Sequence, residues 1–149
     1  MENTRQQKRT IQRTILTYGT FDLTHIGHIR LLKRAKALGD YLVVGLSTDN
    51  FNTIKGKKTV IPYEQRKEIL EAIKYVDKVI PEDRWEQKAD DMKRFKSIAD
   101  RKGIEPPVMV MGDDWKGKFD EFNCIYLPRT EGISTTQIKE ILHNLNKVV

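Results

Sequence analysis

Apolar positions along the chain fall into two alternating periods. Thr14–Tyr18 (TILTY) and Tyr41–Leu46 (YLVVGL) are short apolar runs, the second the near-continuous pattern of a parallel strand buried on both faces. Between them His28, Leu31, Leu32, Ala35 and Leu38 recur at i, i+3, i+4, i+7 and i+10, which predicts a helix over His25–Leu38 with one core-facing stripe. Gly39 stands where a left-handed C′ residue would end it. Strand, helix and strand within about thirty residues make a βαβ unit, whose crossover is right-handed.

The alternation then repeats. Asn50–Ile61 reads as a loop carrying Lys55-Gly56-Lys57-Lys58, and Pro62 fits the first turn of a helix over Tyr63–Tyr75. Ile69, Leu70, Ile73 and Val76 form the stripe of that helix, which places Arg66 on the opposite, solvated side, with anion contact as its alternative role. Val76–Ile80 reads as a third strand closed by Pro81, followed by a charged helix from Arg84 to Arg101 that Gly103 ends. Val108–Met111 and Cys124–Leu127 read as two more strands. After Ser134, an N-cap residue, a last helix carries Ile138, Ile141, Leu142 and Leu145 on one face. About five strands alternating with helices predict a single-domain, doubly wound, open parallel α/β sheet of Rossmann-like type, with its site above the C-terminal strand ends. The polar, basic residues 1–13 read as a disordered tail, and residues 14–149 as the catalytic domain.

Composition narrows the class. At 149 residues the chain suits one domain with a real core. No apolar run approaches a membrane span and no signal-peptide pattern opens the chain, so the expectation is a cytoplasmic protein with no membrane partner. The single cysteine, Cys124, excludes an intramolecular disulfide. A formal net charge of +6 fits either nucleic acid or multiply phosphorylated small molecules. No nucleic-acid module is recognisable and the lysines gather near the motifs below, which favours phosphorylated substrates.

The candidate chemistry starts at the first strand's end. Gly19-Thr20-Phe21-Asp22 turns the chain sharply into a helix bearing His25 and His28. Their i, i+3 spacing puts both imidazoles on one side of a helix N-terminus, where unpaired N–H groups suit a phosphate. Gly27 between them removes a Cβ where a ligand would come close. A zinc site would need three or four ligands, and only His143 and Cys124 remain as soft donors, so no protein metal site is expected. Near the C-terminus Arg129 precedes the hydroxyls of Ser134, Thr135 and Thr136 at a second helix start, again a phosphate-binding combination. Asp113 and Asp114 are adjacent and so point apart, which suits one turn cap and one contact to nucleotide hydroxyls.

GTFD followed by HIGH, with RTEGISTT far downstream, resembles the signatures of the His-x-Gly-His nucleotidyltransferase superfamily. WEQK at Trp85–Lys88 and MGDDW at Met111–Trp115 are similar, within it, to the glycerol-3-phosphate cytidylyltransferase family. The resemblance spans Thr14 to Leu142. It implies transfer of CMP from CTP to sn-glycerol 3-phosphate, giving CDP-glycerol and pyrophosphate for teichoic-acid or capsular polymer synthesis, by a homodimer. It also implies that His25, His28 and Arg129 are catalytic, with the Thr20 and Phe21 backbone assisting. CTP would be held by these together with Lys57, Asp113, Thr130, Glu131, Gly132, Ile133, Ser134, Thr135 and Thr136. Lys55, Lys88 and Lys74 would meet the acceptor; Lys74 stands where family members carry Arg, so it keeps the charge but loses the bidentate fork. Mg²⁺ would bind mainly through the nucleotide phosphates. Two other readings remain at this point. One is a transferase of the superfamily using another polyol phosphate, phosphocholine or phosphoethanolamine, or using ATP. The other is a non-catalytic nucleotide- or nucleic-acid-binding protein.

Overall fold

The computed structural model describes residues 10–148, with side chains through residue 146. Nine residues of the expected basic tail therefore lie outside the described region. Gln12 and Arg13 lie within it, and their backbone N–H groups donate to the two carboxylate oxygens of Asp40 at 2.8 and 2.9 Å.

Five parallel strands form one sheet in the order β3-β2-β1-β4-β5. They are β1 (Thr14–Gly19), β2 (Tyr41–Ser47), β3 (Lys78–Glu82), β4 (Val108–Gly112) and β5 (Cys124–Leu127). The helices are α1 (Ile26–Ala37), α2 (Asp49–Ile54), α3 (Tyr63–Glu71), α4 (Gln87–Lys102) and α5 (Thr135–Val148). The chain winds outward from β1 to β3, then returns through α4 to β4 beside β1. The crevice between β1 and β4 is thus the switch point where open α/β sheets bind ligands. This is the doubly wound sheet that the alternating pattern predicts.

Both sheet faces are covered. On one face Ile15, Leu42, Val44, Leu46 and Val110 pack with Leu32 and Ala35 of α1 and Leu70 of α3. On the other, Leu16, Tyr18, Val43, Met109 and Met111 pack with Met92 of α4. The interleaving of these residues along each strand is the period-two alternation of a sheet with two buried faces.

Several elements depart from expectation for local reasons. The supposed loop after β2 begins with α2, capped by the Thr48 hydroxyl, which accepts from Phe51 N at 3.1 Å. Helix α3 stops at Glu71 rather than Tyr75. Strand β3 runs through Pro81 instead of stopping before it; at the sheet edge with one neighbour a missing N–H is tolerated. Gly39 is not a left-handed cap: a Cβ there would come within 2.8 Å of Arg13 O and 2.7 Å of Ile15, so close packing demands it. The apolar face of α5 is also not core, because Ile141, Leu142 and Leu145 are each more than half exposed.

The largest correction concerns Arg66, expected on a solvated face. It is fully buried. Its Nε donates to Ile61 O at 2.8 Å, its Nη1 to Thr20 O and Ser47 O at 2.8 Å each, and its Nη2 to Asp49 Oδ1 at 2.7 Å. One planar fork therefore ties together the ends of β1 and β2 and the segment before α3. Arg66→Ala leaves three carbonyl oxygens unsatisfied, and we expect it to lower the unfolding free energy by on the order of 3 kcal/mol. Urea denaturation of the two proteins checks this, and an unchanged midpoint would show the fork to be dispensable.

Candidate active site

The turn after β1 is built under strain. Phe21 and Leu23 both have φ of +50°, the left-handed region that side-chain-bearing residues seldom occupy. What holds them there is a set of bonds from distant segments. Asp22, almost fully buried, accepts from Val60 N at 2.8 Å and Ile61 N at 3.0 Å, and lies 3.3 Å from Lys139 Nζ. The Thr135 hydroxyl donates to Asp22 O at 2.9 Å. Burial by itself would push the Asp22 carboxyl up, but the two amides and Lys139 together bring it below its ordinary value. The turn, the lysine loop and the start of α5 are thereby locked to one residue, through its carboxylate and its carbonyl.

The turn delivers the histidines. His25 is the N-cap of α1: its Nδ1 accepts from Gly27 N at 3.0 Å, while His28 Nδ1 accepts from His25 N at 3.1 Å. A ring nitrogen that accepts from an amide carries no proton, so each neutral imidazole bears its hydrogen on Nε2. The rings lie 3.9 Å apart, centroid to centroid. A Cβ on Gly27 would stand 2.8 Å from His25 Cε1, so this glycine makes room for the capping ring itself. Burial first, then the neighbouring His25, brings the His28 pKa down to about 4, and burial lowers His25 as well. Both are neutral Nε2–H donors at pH 7.

Two clefts meet at His28. The larger, of about 490 Å³, is lined by Thr20, Phe21, Asp22, Lys55, Lys57, Lys58, Thr59, Glu82, Trp85, Lys88, Trp115, Phe119, Thr135, Thr136 and Lys139, among others. The smaller, of about 210 Å³, is lined by His25, Gly27, Arg34, Arg129, Thr130, Ile133 and Ser134, among others. They share His28, Leu31, Gly112, Asp114 and Thr135. Lysines dominate the larger cleft. Lys55 Nζ donates to Ser47 Oγ at 2.7 Å, and burial followed by the charge of Lys57 brings its pKa down to about 8. Lys88, nearly buried, pairs with buried Glu82 at 2.6 Å. Among the described residues no group of three or more His, Cys, Asp or Glu converges to hold a metal ion.

A strand-end turn, a histidine pair at a helix N-terminus and a basic cleft beside it are the parts of a phosphate-transfer site. The cytidylyltransferase-like family matches residues 16–141. The chain belongs to this family. Over 135 residues it is 59% identical to glycerol-3-phosphate cytidylyltransferase of Bacillus subtilis (strain 168), covering 88% of this chain and 98% of that protein. Over 133 residues it is 55% identical to the protein of the same name from Staphylococcus aureus (strain NCTC 8325 / PS 47), covering 87% and 94% of the two chains. Among solved structures, the lipopolysaccharide core biosynthesis protein from Thermoplasma volcanium GSS1 is similar, with a TM-score of 0.54 and 26% identity over 92% of this chain and 90% of that one.

Most candidate residues of this cytidylyltransferase-like domain converge. Thr20, Phe21, His25, His28, Lys55, Lys57, Lys88, Arg129, Thr130, Ile133, Ser134, Thr135 and Thr136 all line one cleft or the other. Four do not. Glu131 and Gly132 are exposed at the tip of the turn before α5 and line neither cleft. Asp113 is exposed and lines neither cleft, whereas Asp114 lines both, 3.8 Å from Arg129. The short 3-10 turn at Asp113–Trp115, invisible to periodicity, decides which carboxylate faces inward. Lys74 precedes β3, at the N-terminal edge of the sheet; its Nζ lies over the Tyr75 ring and it lines neither cleft. Sequence reasoning missed Arg66 as a buried hub, Glu82 as the partner of Lys88, and Lys139, which also donates to Lys58 O at 3.1 Å. Period-three spacing from Lys139 to the cleft-lining Thr136 could have pointed to the last of these.

Because the folded chain holds His28 neutral, its folded pKa lies below the ordinary histidine value of 6.5. The contribution of its burial to stability is therefore complete above about pH 6.5 and lost as pH falls toward about 4. We expect the ¹⁵N resonances of His28 to keep the neutral, Nε2-protonated pattern on titration from pH 7 to pH 5. A midpoint near 6.5 would contradict the buried, neutral ring.

Proposed function

We propose that the chain transfers CMP from CTP to sn-glycerol 3-phosphate, releasing pyrophosphate and forming CDP-glycerol for teichoic-acid or capsular polymer synthesis. The observation that carries this reading is the identity with the Bacillus subtilis enzyme along nearly the whole of that protein. The site chemistry supports it. A phosphate monoester is already a nucleophile, so an acceptor oxygen attacks the α-phosphorus in line, with no general base required. Positioning and charge stabilisation are the protein's contribution.

In this reading the α-phosphate sits at the meeting of the clefts, within reach of the His25 and His28 Nε2–H donors. Neutral donors aimed at charge that grows in the transition state favour that state over the ground state. Arg129, Thr130, Ile133 and Ser134 to Thr136 hold CTP and then pyrophosphate, with Lys57, the Thr20–Phe21 backbone and Asp114 assisting. Lys55 takes the acceptor phosphate, and Lys88, already paired with Glu82, meets the acceptor's other end. The donor set fits a Mg²⁺ that arrives on the triphosphate, since few carboxylates face the clefts; when bound it would neutralise phosphate charge. A homodimer would cover the exposed Ile141, Leu142 and Leu145 of α5. No helix among the described residues is long and apolar enough to cross a membrane; a cytoplasmic location is part of the proposal, because CTP is supplied there.

The decisive experiment is a panel of CTP, ATP, GTP and UTP against glycerol 3-phosphate, ribitol 5-phosphate, phosphocholine and phosphoethanolamine, scored by pyrophosphate. CTP with glycerol 3-phosphate should exceed ATP by at least about tenfold in kcat/KM, a difference of about 1.4 kcal/mol. Preference for ATP or for phosphocholine would refute the reading. His28→Ala should lower kcat by about 10²–10³ while the melting curve remains that of a folded protein.

A further inference from the structure

Lys88 occupies an unusual enclosure. Its Nζ lies 2.6 Å from Glu82 Oε2, and 5.0, 5.4 and 5.9 Å from the ring centroids of Tyr18, Phe119 and Trp85. The Lys88 and Glu82 side chains are 8% and 1% exposed. Three aromatic rings and a carboxylate around one cation are the chemistry that recognises an alkylammonium head. Here the cation is the protein's own.

The walls are held in place independently of Lys88. The Tyr18 hydroxyl donates to Asp91 Oδ2 at 2.9 Å. Trp85 packs edge-on against Phe51, centroids 5.1 Å apart. Phe119 N donates to the Tyr126 hydroxyl at 2.8 Å. Glu82 has a second contact, from the Ser47 hydroxyl at 3.4 Å. Tyr18, Glu82, Trp85, Lys88 and Phe119 all line the larger cleft, so the enclosure opens onto the space assigned above to the acceptor.

We propose that Lys88 determines acceptor specificity by filling an aromatic box that would otherwise take the ammonium head of an acceptor such as phosphocholine. The inference rests on the acceptor reading given above. With Lys88 present, an acceptor ammonium finds the rings and the carboxylate already satisfied and meets a like charge, whereas an uncharged polyol tail does not. With Lys88 shortened to alanine, Glu82 loses its direct ion pair and keeps only Lys55, reached through the Ser47 hydroxyl, so a buried carboxylate faces three rings. A small alkylammonium then restores both contacts. The transfer itself is unchanged: the acceptor phosphate oxygen bonds to the CTP α-phosphorus as the α–β bridging P–O bond breaks, and pyrophosphate leaves with the electron pair.

The test compares wild type, Lys88→Ala, and the double variant Lys88→Ala with Glu82→Gln. Each is assayed for pyrophosphate with CTP and glycerol 3-phosphate or phosphocholine. Each is also melted in tetramethylammonium chloride and in sodium chloride at equal concentration. The expected result is a rise of at least about tenfold in the kcat/KM ratio of phosphocholine to glycerol 3-phosphate for Lys88→Ala. Its Tm should rise with tetramethylammonium relative to sodium, with no such rise for wild type and little for the double variant. A Lys88→Ala protein that folds only in tetramethylammonium supports the box; one that stays unfolded even there, or whose Tm is indifferent to the cation, overturns it. Wild type that uses phosphocholine as well as glycerol 3-phosphate also overturns it. Wild type inert toward glycerol 3-phosphate, beside a Lys88→Ala variant that gains tetramethylammonium binding, would refute the acceptor reading and leave the box standing.

Discussion

The site depends first on a buried cation that lines neither cleft. Arg66 is buried at the junction of β1, β2 and the segment before α3, and its donors end on Thr20 O, Ser47 O, Ile61 O and Asp49. Strand ends and turns leave carbonyl oxygens without partners, and buried ones are costly unless a donor reaches them. A single guanidinium reaches three from different segments because its five N–H groups lie in one plane at fixed angles, which an ammonium cannot imitate. Asp22 performs the complementary task for amides and for Lys139, so the strained Phe21–Leu23 turn is bounded by one buried cation and one buried anion.

Charge distribution follows from the same frame. Five lysines line the larger cleft; two are engaged by carboxylates, Lys88 with Glu82 and Lys139 with Asp22. Lys55 leans on a neutral hydroxyl and is brought down to about 8 by burial and Lys57. Such a cleft attracts phosphorylated ligands, and their negative charge would relieve the crowding of like charges. Neutral histidines fit that setting. A cationic pair beside the lysines would add repulsion in the free protein, whereas Nε2–H dipoles cost nothing until phosphate charge grows next to them.

Much of this was legible in the chain. The apolar runs and the helical stripe of α1 identified a parallel α/β sheet, because both periods come from backbone geometry alone. GTFD, HIGH and RTEGISTT marked the histidines, Arg129 and the hydroxyls at the start of α5, all of which reach the clefts. The same reasoning failed where a neighbour in space decided the outcome. Arg66 lies opposite an apolar stripe, which reads as solvent, yet the ends of two strands cover it. The stripe of α5 reads as core, yet nothing in the described chain covers Ile141, Leu142 and Leu145. Resemblance pointed to Lys74, and its place before β3 puts it at the N-terminal edge of the sheet, outside both clefts.

The sequence by itself determined the order of elements, the sheet class and the residues of the motifs, since these rest on local periodicity, capping and turn chemistry. Only the tertiary structure decided that Asp114 rather than Asp113 faces the clefts, that Gly27 makes room for a capping imidazole, and that each histidine carries its hydrogen on Nε2. It alone placed Glu82 and three rings around Lys88. The physical reason is common to all of these. Burial, hydrogen-bond partner and charge state depend on atoms that lie far along the chain and meet only when the sheet has closed the distance.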